Sequence, residues 1–209
     1  MTKKVFNQKA LDREMQKGYD LLSKNNQKQA IRTWQKVWDN IKRIMNKHEI
    51  ESVEEMDEQF EGTQSIFNWS SDFSLELLNI SRENKDYLQD RIAYYTEYLE
   101  RLNNVSEGNA KNMKGDLAQA YFEMGQPQKG EELFQELTTD YPRWAWGWIF
   151  WSDVYGIFAE ERDKNLDRAL HILNEALTVK GLSDKEDVMD RIEETKKQMG
   201  KEIDLKEER

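Results

Sequence analysis

The chain has 209 residues, with 31 Lys or Arg, 41 Asp or Glu, no cysteine and a formal net charge of −10. The lack of cysteine excludes disulfides, thiolate zinc sites and cysteine nucleophiles, and the acidic balance argues against broad nucleic-acid binding. A mean hydropathy of −0.97, with 37% hydrophobic and 11% aromatic residues, fits thin helical layers with a large wet surface rather than disorder.

Met1 to Lys17 contains no apolar stretch able to act as a signal sequence. No run approaches the ~20 apolar residues of a membrane span, so the expected location is cytoplasmic. Residues 1–48 hold twelve Lys or Arg against four Asp or Glu. This opposite sign at one end bears on partners, not on fold.

Taken in chain order, the pattern predicts a first helical pair over residues 10–48. Gly18 and Ala30 are small where the paired helices approach. Ile31, Trp34, Val37, Trp38, Ile41, Ile44 and Met45 form a 3.6-residue apolar stripe on the second helix. Ser52-Val53-Glu54-Glu55 reads as a capping box opening a short inserted helix, with the insert spanning 50–62 and Gly62 able to end it. A divergent pair over 64–104 follows. Its first helix runs from Ile66 to Ile80, and its second carries Leu88, Ile92, Tyr95, Leu99 and Leu102.

A third pair covers 108–142, divided at Gly125-Gln126-Pro127, with Pro127 near a helix start. A fourth covers 143–182. There Trp148, Trp151, Ser152 and Tyr155 lie on the first helix, and Asn165 is the N-cap before Ala169, Leu173, Ala176 and Leu177. Five extra residues fall within Ala159–Asn165. Ser183-Asp184-Lys185-Glu186 is a second capping box, opening a terminal helix over 184–200 with Val188, Met189, Ile192 and Met199 on its covered side.

The spacing in residues 114–142 carries the strongest signature: Leu117-Ala118, Tyr121, Gly125, Gly130, Phe134, Leu137 and Pro142. It resembles a tetratricopeptide repeat, in which two antiparallel helices form a unit of about 34 residues. Gly18, Leu21, Ala30, Trp34 and Val37 repeat the spacing of Ala118, Tyr121, Gly130, Phe134 and Leu137. The resemblance implies an all-α, tetratricopeptide-like right-handed α-solenoid. It would hold three to four helical hairpins, an inserted helix and a C-terminal capping helix in one domain. A narrower likeness, in Phe67-Asn68-Trp69-Ser70-Ser71-Asp72-Phe73 and the Trp-rich run, resembles uncharacterised bacterial proteins that join such repeats to a cysteine-rich SEC-C metal motif. With no cysteine, that motif is absent here.

What the resemblance implies for function is non-catalytic binding of a peptide or partner segment in a concave groove lined by first helices. The groove-facing positions are then Gln16, Tyr19, Gln119, Phe122, Glu123, Trp146, Ile149, Phe150 and Asp153. Trp144 and Trp146 can each belong either to that lining or to the core. The positions matching the family's carboxylate clamp are Met15, Tyr19, Gly115 and Gln119, which lack the needed cation and amide, so that clamp is not expected.

Lys28, Arg32, Lys36, Arg43 and Lys47 recur opposite the Trp34/Trp38 stripe. They read as a solvated helix face, or as a basic face for an acidic partner, another copy's acidic end or a nucleic-acid-linked complex. Glu54, Glu55, Asp57, Glu58 and Glu61 read as a wet face, because carboxylate-rich metal bundles also need Glu-x-x-His units and His48 and His171 sit in none. No phosphate loop, metal motif or nucleophile–base pair is recognisable. The expectation is therefore no enzyme activity, no cofactor and no metal. The partner would be a protein, self-association stays open, and there is no membrane association.

Overall fold

The computed structural model describes residues 6–100, 107–157, 159 and 161–207. Those residues are all-helical, with no strand among them. Where the sequence suggests one domain, the chain divides into two compact units, Met1–Ala110 and Lys111–Arg209.

The first unit opens with α1 (Gln8–Ser23) and α2 (Gln27–His48). Their close approach is set by Gly18. A Cβ added there would lie 1.9 Å from Trp34 Nε1, and that indole N–H donates to the Met15 carbonyl at 3.0 Å. The bond satisfies the one polar atom of a fully buried side chain. Between the helices, Asn25 takes a left-handed φ of 55°. Asn26 N–H donates to the Leu21 carbonyl, and Asn25 N–H to that of Leu22, at 2.9 Å each. This is a Schellman ending.

Next come α3 (Val53–Asp57), α4 (Ile66–Glu83), a 3-10 turn (Lys85–Tyr87) and α5 (Leu88–Glu100). Ser52 Oγ accepts from Glu55 N–H, and the Glu55 carboxylate from Glu51 N–H. The predicted box thus forms one residue out of its usual return bond. α3 stops at Asp57, before Gly62, because the Asp57 carboxylate turns to accept Ile66 N–H and Phe67 N–H at the start of α4. Leu102, predicted on the α5 stripe, lies outside the described residues.

The core of this unit is an aromatic chain. Trp34 meets Trp69 and Phe73 edge-on, Phe73 meets Tyr94 at 4.7 Å, and Trp38 lies against both Tyr94 and Tyr98. Each ring adds stabilisation beyond its buried area, about 0.5–1.5 kcal/mol per well-placed pair.

The second unit contains α6 (Glu107–Glu123), α7 (Pro127–Asp140), α8 (Ala145–Asp153), α9 (Leu166–Thr178) and α10 (Lys185–Glu207). The α6–α7 turn repeats the α1–α2 turn at an offset of 100 residues. Gly125 has φ 77°, Gln126 N–H reaches the Tyr121 carbonyl and Gly125 N–H that of Phe122. Gly130 again marks the close approach, with Phe122 pressed against its Cα.

One cluster in this unit joins Ala118 and Phe122 of α6, Phe134 and Leu137 of α7, and Trp151, Val154 and Ile172. A second joins Ala145 and Ile149 of α8, Leu173 and Ala176 of α9, and Val188 and Ile192 of α10. The segment after α8 is anchored by Arg162, whose guanidinium donates to the Phe122 and Glu123 carbonyls at the end of α6. A cation there suits the exposed carbonyl lone pairs of a helix C-terminus and the helix dipole. Asn165 caps α9 as expected. Ser183, by contrast, does not box α10; its hydroxyl faces Ala145 N–H at the start of α8. On α10 the covered positions are Val188, Ile192 and Thr195, while Met189 points outward at 52% exposure.

Gly18→Ala is expected to cost about 1–3 kcal/mol through overpacking and to broaden the Trp34 environment, read by denaturant unfolding and indole fluorescence. Unchanged stability would show that the α1–α2 approach yields easily.

Candidate functional site

Of the nine groove positions, two lie in the first unit and seven in the second. Tyr19 is half-buried and committed to structure. Its hydroxyl donates to Asp72 at 2.6 Å, linking α1 to α4, and its ring meets Trp34 edge-on. Burial, reinforced by the Asp72 carboxylate, holds its phenol well above the usual range. The half-buried Gln16 has its amide nitrogen buried without a hydrogen-bond partner.

In the second unit, Phe122, Ile149 and Asp153 are core residues, not lining: they are 3%, 1% and 3% exposed. Phe122 fills the space over Gly130 and packs against Phe134 and Tyr155. Ile149 faces α9 and α10. Asp153 pairs with Arg191 of α10. The reason is the environment of α8. This nine-residue helix reads Ala-Trp-Gly-Trp-Ile-Phe-Trp-Ser-Asp, apolar on nearly every side, and is covered by α7 on one flank and by α9 and α10 on the other. An all-round apolar helix is a buried helix.

What stays at the surface is smaller and more aromatic. Trp146 is 37% exposed and lies 5.9 Å from Phe150. Phe150 meets Trp144 edge-on at 5.8 Å and rests on α6 where Gly115 has no side chain; a Cβ there would come within 2.7 Å of the ring. Gln119 and Glu123, four and eight residues beyond Gly115, are half-exposed on the same helix and fall on neighbouring turns of its surface. Two residues that the spacing argument did not assign to the lining, Tyr141 and Lys111, belong beside them: the Lys111 ammonium sits 4.5 Å from the Tyr141 ring and 5.9 Å from that of Trp144. Their signal was the turn at Tyr141-Pro142, which brings the end of α7 beside the start of α8.

All five basic-face residues, Lys28, Arg32, Lys36, Arg43 and Lys47, are exposed on α2. Their spacing confines them to an arc of about 100°. The acidic stretch after Ser52 is divided among local tasks, with Glu55 and Asp57 used in capping. Among the described residues no group of three or more His, Cys, Asp or Glu is placed to hold a metal ion, and no helix is long and apolar enough to cross a membrane. Comparison with protein-family models, curated proteins and solved structures gives no match.

Phe122→Ala is expected to cost about 3–5 kcal/mol, as for a buried aromatic, whereas Trp146→Ala should stay within about 0.5 kcal/mol; chemical denaturation measures both. Burial pushes the Asp153 carboxyl up to about 6, against the pull of Arg191. A raised acid binds its proton more tightly in the folded state, so its stabilising contribution is present below the ordinary carboxylate range and is lost as pH rises to about 6. Relative to Asp153→Asn, the native chain should therefore lose up to about 3 kcal/mol between pH 4 and 6; a flat difference across that window would refute the assignment.

Proposed function

We propose that this chain is a tetratricopeptide-like helical-hairpin protein of the α-solenoid class, acting as a non-catalytic recognition module for a protein partner. The reading is supported most by the α6–α8 face. There, large aromatic side chains sit at the surface of a covered, well-packed scaffold instead of in its interior. Trp146 and Phe150 offer wide apolar area with few rotatable bonds, which is how anchors at protein interfaces act. Gln119 and Glu123 supply polar selection along the same strip, and Lys111 supplies positive charge beside Tyr141 and Trp144. Neither Trp146 nor Phe150 belongs to the two buried clusters that hold the unit together, although Phe150 packs against one of them.

The repeated hairpin supports the class. Two Schellman turns with matching bonds, each followed by a small residue, Ala30 or Gly130, at the helix crossing, are what stacked helical pairs require. A preformed helical face loses little conformational entropy when it binds, so most of the contact energy is available for affinity. The partner expected is a polypeptide segment with apolar side chains at one face and a hydrogen-bonding edge.

Affinity capture from the native cell, with the intact chain and with Trp146→Ala in parallel, tests this. The expected result is a specific protein held by the native chain and lost, by about tenfold or more in affinity, from an equally folded Trp146→Ala variant. Equal retention by both would remove the α6–α8 face as the recognition surface.

A further inference from the structure

The first unit contains a cavity of about 630 Å³ lined by Lys28, Ile31, Arg32, Gln35, Lys36, Asn84, Asp86, Tyr87 and Asp90. That volume lies inside the range of about 300–1,000 Å³ typical of ligand sites. Its two walls carry opposite charge. On α2, Lys28, Arg32 and Lys36 stand one turn apart and cover about 12 Å of helix axis. Facing them, Asp86 sits on the 3-10 turn and Asp90 on the first turn of α5, with Tyr87 between. The floor holds the buried Ile31.

These charges are unspent. The side chains of Lys28, Arg32, Lys36, Asp86 and Asp90 make no ion pair or hydrogen bond with any other described residue. The contrast with neighbours on the same helix is sharp: Lys42 of α2 pairs with both Asp39 and Glu97. Long cationic side chains and two carboxylates thus face each other across a gap and do not close it. All five side chains are exposed and solvated, so standing apart costs little, and both walls stay available to a guest that brings both signs.

From this juxtaposition we infer that the trough between α2 and the α4–α5 turn binds a polypeptide segment of alternating acidic and basic side chains, its carboxylates on Lys28, Arg32 and Lys36 and its cations on Asp86 and Asp90. A purely acidic ligand satisfies one wall and is repelled by the other. A compact zwitterion spans the gap at one point only, whereas the basic wall has three cations spread over about two helical turns, which favours an extended chain. The site is independent of the aromatic face in the second unit, so either can fail without the other.

The test uses the full chain and blocked peptides of alternating Glu and Lys, of Glu alone and of Lys alone, with binding followed by amide chemical shifts and calorimetry. The alternating peptide is expected to shift amides of 28–36 and 84–90, to bind at least about tenfold more tightly than either single-sign peptide, and to weaken as salt rises. Asp86→Asn with Asp90→Asn, and separately Lys28→Gln with Arg32→Gln and Lys36→Gln, should each weaken it by about tenfold or more; all five side chains lie at the cavity wall and none pairs internally, so the variants are expected to fold, as circular dichroism will show. Equal binding of the Glu-only peptide, unaltered affinity in the Asp variants, or no binding of the alternating peptide would overturn the proposal. Free arginine or glutamate binding as tightly as the peptide would replace the polypeptide with a small ligand and overturn it as well.

Discussion

The bond from Trp34 to the Met15 carbonyl, made across a glycine that leaves room for the indole, is the contact on which the first unit depends. It fixes how far α1 and α2 stand apart. It also sets Trp34 at the one place where its faces can meet Trp69 and Phe73 of the next pair. From there the aromatic chain continues through Tyr94 to Trp38 and Tyr98, so the second pair is positioned by rings, not by backbone. Two polar atoms in this core find partners, Tyr94 donating to the Ser70 carbonyl and Trp38 to Glu97, whereas Trp69 Nε1 is buried without a hydrogen-bond partner, a cost set against the burial of the rings.

The second unit solves the same problem with other residues. Phe134 and Phe122 replace the indole, and Gly130 sits on the second helix where Gly18 sits on the first. What is kept is the spacing and the turn; what changes is which helix gives up its side chain. Among the described residues, the end of α6 has one addition that the end of α1 lacks, a cation from the long connection, Arg162, donating to the Phe122 and Glu123 carbonyls. The extra residues before Asn165 therefore have a structural task.

Local chemistry was legible in the sequence. The Gly125-Gln126-Pro127 turn, the Ser52 cap and the Asn165 cap each depend on residues within a few positions of one another, and the Gly18–Trp34 pair lies within one helical hairpin, across a single short turn. Asn25 is the counterpart of Gly125, a substitution with no glycine to flag it, because among residues with a side chain Asn is one of those that best tolerate that backbone. The groove lining was much less legible. It assumed that α8 shows one face to a partner, yet its sequence has no polar face, and only the positions of α9 and α10 decide which side is covered. Asp153 looked like a polar surface residue because its partner, Arg191, is 38 positions away. The trough in the first unit was invisible for a similar reason. Its basic wall is a row at helical spacing in the sequence, but the acidic wall is brought opposite by the α4–α5 turn, which no spacing rule reports.

Sandwiching α8 between elements made before and after it has an implication for synthesis. A nine-residue helix is too short to persist by itself, and its Trp-rich stretch meets α6 and α7 on one side as soon as it leaves the ribosome. The other side waits for Leu173 and Ala176 of α9 and then for Val188 and Ile192 of α10. At about 5–20 residues per second, the roughly forty intervening residues take several seconds to appear. Until α10 is made, Ala145 and Ile149 are at best partly covered, which makes this the window in which a nascent chain would most need shielding by a chaperone.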